Sequence, residues 1–77
     1  MARAVIELSG DISSFMPQMY RAIEGCAYNQ ISQVAAFRYD YMRVIVERSQ
    51  ITIYGTEDKN TVKRFIAWLT DKVDDAQ

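Results

Sequence analysis

Histidine is absent from this chain, cysteine and proline occur once each, and glycine occurs only three times. Without histidine there is no imidazole for general base catalysis or metal ligation near neutral pH. A lone cysteine, Cys26, excludes an intrachain disulfide and a Cys/His zinc site within one chain. No uncharged apolar run approaches the ~20 residues that a membrane-spanning helix needs, so no membrane partner is expected. The first residues meet a charge at Glu7 before a signal-type apolar segment can form, so no signal peptide is expected. With a single free thiol, this reads as a protein of the reducing cytoplasm. No Gly-rich phosphate loop, nucleophile elbow or calcium-loop spacing is present. The expectation is a protein that is not an enzyme and carries no cofactor or metal.

What is there suits one small globular domain, residues 1–77, with 49% hydrophobic and 25% charged residues. Nine basic and ten acidic side chains leave a net charge of −1. A firm electrostatic grip on nucleic acid normally shows as a basic excess, which the bulk composition lacks. The basic residues are unevenly placed, however. Every one before position 50 is an arginine: Arg3, Arg21, Arg38, Arg43 and Arg48.

Hydrophobic periodicity sets out the elements. Residues 2–8 read as a strand, and Ser9-Gly10-Asp11 as a turn. Ile12, Phe15, Met16, Met19, Tyr20 and Ile23 mark one face of a helix over 14–24, with Ser13 or Ser14 as its cap, Pro17 in its first turn and Gly25 ending it. Residues 26–33 read as a connection. Strands follow over 34–39, 42–47 and 50–54, the last two joined at Arg48-Ser49. Thr56 or Asp58 caps a final helix whose stripe is Val62, Phe65, Ile66, Leu69 and Val73. The order β-α-β-β-β-α predicts an α+β fold: an antiparallel sheet of four to five strands with two helices on one face.

Such a sheet leaves its other face bare. With Ile51 and Ile53 turned to the helices, the open face is expected to carry Val34, Ala36, Arg38, Asp40, Val44, Val46, Gln50, Thr52 and Tyr54, and the covered face Ala35, Phe37, Tyr39 and Ile45. A bare face of this composition needs a partner, and a second copy of the chain is the simplest one. Arg38, Arg43 and Arg48 are candidate phosphate contacts, or strand arginines balanced by Asp40 and Glu47. Tyr28, Tyr39, Tyr41 and Tyr54 are candidate base-stacking residues, or ordinary core tyrosines. Trp68 lies beside the helix stripe. Cys26, at a helix C-terminus, is expected to be unreactive.

Ala27-Tyr28-Asn29, Val34-Ala35-Ala36-Phe37 and the stretch Val44-Ile45-Val46-Glu47-Arg48-Ser49-Gln50-Ile51-Thr52-Ile53-Tyr54-Gly55 carry a resemblance. Together with the element order, they resemble one repeat of the TATA-binding-protein fold. The N-terminal domain of ribonuclease HIII is similar and also comes as a single repeat. The resemblance implies a curved sheet that binds through its open, concave face, and two repeats for a full saddle, hence a homodimer here. Where that family carries phenylalanine wedges, this chain has Val34 and Val46, and where it carries basic residues, this chain has Gln50 and Asp40. The resemblance therefore implies the fold more than the DNA-kinking chemistry. Two functions follow as expectations: a non-catalytic binding module that presents its open face to nucleic acid, or a protein-interaction and dimerisation subunit without nucleic-acid binding.

Overall fold

The computed structural model describes residues 2–75. Five strands and two helices follow one another: β1 (Arg3–Glu7), α1 (Met16–Ala22), β2 (Ala27–Asn29), β3 (Val34–Tyr39), β4 (Met42–Val46), β5 (Gln50–Tyr54) and α2 (Lys59–Asp75). The strands form one antiparallel sheet in the order β1-β5-β4-β3-β2. β1 thus pairs with the last strand, not with its sequence neighbour, because α1 carries the chain across the sheet. The α+β layout expected from the periodicity is the observed one, with five strands.

Tight turns set the register. Asp40-Tyr41 is a two-residue link that leaves Tyr39 opposite Met42. Asp40 adopts φ 58°, a left-handed conformation that Asp tolerates better than most residues. Arg48-Ser49 is the second such link, closed by Glu47 N–H donating to the Gln50 carbonyl at 2.8 Å. Gly55 follows β5 at φ 117°, and a Cβ there would lie 3.2 Å from Met42 Cγ. Both constraints select glycine.

β2 lies in the stretch that reads as a connection in the sequence. Only three residues long, it is too short for a period to show. It is held by Asn29, whose side-chain oxygen accepts from the Ile31 and Ser32 amides at 2.9 and 3.1 Å. α1 is also shorter than its apolar spacing suggests. A 3₁₀ turn, Ser13–Phe15, precedes it, Pro17 sits in its first turn, and no side chain caps it. Asp11 satisfies the Ser13 amide instead, at 2.8 Å. On this helix Met16 and Met19 are buried, with Ile23 just beyond its end, while Phe15 and Tyr20 of the expected stripe are exposed. α2 is capped by Asp58, which accepts from the Thr61 amide and hydroxyl at 3.1 and 2.8 Å. Thr56 in turn accepts from the Asp58 amide at 3.1 Å.

The core lies between the sheet and the two helices. Met16, Val44, Val46, Ile53 and Phe65 are its largest sealed side chains. Phe65 meets Tyr39 edge-on, with ring centroids 5.3 Å apart, and Trp68 stands 5.0 Å from Tyr39 and 5.9 Å from Phe37. Trp68 is therefore part of the helix–sheet contact. Ile66, on the expected stripe, is instead 43% exposed.

Candidate functional site

Side chains directly opposite each other in an antiparallel pair share a face. The register then assigns each face without ambiguity. Ala35–Val46, Phe37–Val44, Val44–Ile53 and Val46–Ile51 are opposed pairs, and all of these residues are buried under the helices. Val44 and Val46 are thus not open-face residues, contrary to the sequence expectation, and Ile45 takes the open side instead. The reason is parity. A two-residue turn at Arg48-Ser49 puts Val46 and Val44 on the same side as Ile51 and Ile53. Val34, Ala36, Arg38, Gln50, Thr52 and Tyr54 lie on the open side as expected.

The open face is banded. Its first row crosses four strands: Arg38 opposite Arg43, Arg43 opposite Tyr54, and Tyr54 opposite Arg3. At ~4.8 Å per strand this row spans ~14 Å. Its second row is Ala27, Ala36, Ile45, Thr52 and Val5, ~7 Å away along the strands. The third is mostly polar and acidic, with Asn29, Glu47, Gln50 and Glu7 beside Val34. Three arginines and a tyrosine therefore stand on one line beside an apolar band, in a chain whose net charge is −1.

Arg38 and Arg43 face each other directly, an arrangement that weakens a strand pair unless an anion lies between the two charges. Among the described residues, the arginine side-chain hydrogen bond runs from Arg64 to Thr61. Together with Ala36, Ile45, Glu24 and Gly25, these two arginines line a hollow of about 400 Å³ on the open face. Thr52, only 5% exposed, is overlaid by Gln50, whose amide lies 3.4 Å from its hydroxyl.

The tyrosines divide by position. Tyr39 packs against Phe65 and Trp68, Tyr28 leans on the core, and Tyr41 projects from the β3–β4 turn. Tyr54 alone among the four stands on the open face, 38% exposed and flanked by Arg43 and Arg3. Arg48 sits in the β4–β5 turn, outside the row. The Arg3 position, missed in the sequence, follows from β1 lying beside β5, a long-range pairing with no local signal.

Cys26 is buried, and that burial pushes its thiol above the ordinary value. Its Sγ lies 3.7 Å from the Ala27 carbonyl. Among the described residues no group of three or more acidic or sulfur side chains gathers as a metal site, and no helix is long and apolar enough to cross a membrane. Comparisons with known protein families, curated proteins and solved structures find no match to this chain.

Proposed function

We propose that this chain is a non-catalytic binding module of the cytoplasm that takes an anionic partner, a nucleic acid, on its open sheet face. The observation that carries this reading is the row Arg38–Arg43–Tyr54–Arg3. Opposed arginines gain from a bridging phosphate, a tyrosine in the same line offers a base a stacking surface, and the apolar band beside it favours exclusion of water. The resemblance to one repeat of the TATA-binding-protein fold supports the same surface. Arginine, unlike lysine, suits two-pronged phosphate contact.

The apolar second row and the net charge of −1 favour a second reading, a protein partner on the same face. Fluorescence anisotropy of labelled single-stranded and duplex oligonucleotides, across a salt series, separates the two. Contact of the three arginines with a single strand predicts a log–log salt slope of about −2. Arg43→Ala lowers that slope by about 0.7. Absence of binding even at low salt leaves the protein-partner reading.

A further inference from the structure

We infer that the chain forms a twofold dimer by pairing β1 with β1 of a second copy, antiparallel and centred on Val5. This seam lies at the sheet edge and does not depend on what the open face binds.

The two edges of the sheet are unlike. β2 closes one side with three residues, whereas β1 exposes five residues along the other. On β1 the even positions serve β5: the Ala2 carbonyl accepts from Gly55, and the Leu8 amide donates to Ser49, both at 2.9 Å. In an antiparallel ladder this leaves the amides and carbonyls of Arg3, Val5 and Glu7 pointing outward. No Pro, bulge or inward charge blunts this edge, so it is a ready template for another strand.

A twofold axis at Val5 places Val5 opposite its own copy, Arg3 opposite Glu7, and Glu7 opposite Arg3. Every outward amide and carbonyl of these residues then finds a partner. The charges at the two ends of the strand are complementary in this register. A parallel pairing in register would instead put like charges side by side.

The layer beneath the edge repeats the pattern. An apolar groove of about 330 Å³ runs beside β1, lined by Ile6, Leu8, Phe15, Ile66 and Val73 with Asp74 at its end. A second groove continues it toward Arg3, lined by Ala4, Val62, Lys59 and Lys63, with Glu57 beside the two lysines. α2 therefore runs along β1 in the same direction, with two lysines outnumbering Glu57 at one end, an aspartate at the other and Ile66 between. The same twofold axis brings the Asp74 end of one copy to the Lys59 and Lys63 end of the other. Val5, Phe15 and Ile66, exposed by 47%, 40% and 43%, all flank this seam. The dimer covers them and, in this register, sets the arginine row of each copy in line with the acidic row of the other across one continuous sheet.

Sedimentation equilibrium over a micromolar concentration range tests this directly. The wild-type chain is expected to be a dimer. Arg3→Glu and Glu7→Arg each place like charges at both ends of the seam and weaken the dimer about tenfold or more. Mixing these two variants restores opposite charges at both ends, so the mixture dimerises although neither variant does so well alone. Val5→Pro removes an outward amide that no intrachain bond uses, and it is expected to give a folded monomer by circular dichroism. A wild-type monomer at the highest concentration overturns the inference. So does a dimer whose strength is unchanged by both charge variants, or a mixture no tighter than its components.

Discussion

The two faces of the sheet are built from the same strands and differ in almost everything else. On the helix side Ala35, Phe37, Val44, Val46, Ile51 and Ile53 are all 5% exposed or less. On the other side, one residue along each strand, stand Arg38, Arg43, Ile45, Thr52 and Tyr54. The covered face gains its free energy from removing apolar surface from water. The open face carries three arginines on one line, two of them directly opposed, an arrangement that by itself disfavours the strand pair. This contrast is what supports the proposal that the open face is a binding surface.

The contrast breaks first where the covered face is cut. Phe65→Ala removes the ring that meets Phe37, Tyr39 and Trp68 and is expected to cost about 3–5 kcal/mol, read as a fall in the urea midpoint. In a domain this small, that is most of the total stability. Next comes a paired substitution of neighbours. Val44→Asp buries a carboxylate under α2 and is expected to prevent folding, while Ile45→Asp, one residue on and on the open side, leaves a cooperative unfolding transition. If both variants fold alike, the face assignment is wrong.

A smaller effect is expected at the cap of α2. The hydrogen bonds from Thr61 hold the Asp58 carboxyl below its ordinary value. A carboxylate whose folded value is depressed adds stability above its unfolded value and loses it as pH falls through the folded one. Asp58→Ala should therefore lower the thermal midpoint at neutral pH and narrow its gap from wild type in acid. The smallest change in stability is expected for Arg43→Ala. It relieves the opposition to Arg38, so the urea midpoint stays level or rises slightly, while oligonucleotide affinity falls.

Much of this was legible in the sequence because the periodic signals were long. Phe65 and Leu69 of the α2 stripe, its Asp58 cap and the alternation of Ile51 and Ile53 each need only local information, whereas Ile66 of that stripe is exposed and Trp68 beside it takes part in the core contact. β2 was hidden because three residues hold no period and Asn29 reads as a loop residue. The α1 stripe overreached because Pro17 and the 3₁₀ turn shift the register of the first turn, leaving Phe15 outside the core. Val44 and Val46 were misplaced although the information was present. The two-residue turn at Arg48-Ser49 ties their parity to that of Ile51 and Ile53, and β-branched residues alone do not say which side they face. The place of Arg3 in the arginine row was not legible, because it depends on β1 pairing with β5 from the far end of the chain.

Methyl groups report faces more sharply than backbone amides, which both faces share. The decisive measurement is a methyl NMR titration of the chain with a single-stranded oligonucleotide at low salt. The account predicts shifts at the Ile45 methyls of the open face, with Ile53 and Val44 of the covered face unmoved, and no such shifts in the Arg38→Ala/Arg43→Ala variant. Shifts at Ile66 or Val73 instead, or equal shifts on both faces, would contradict it.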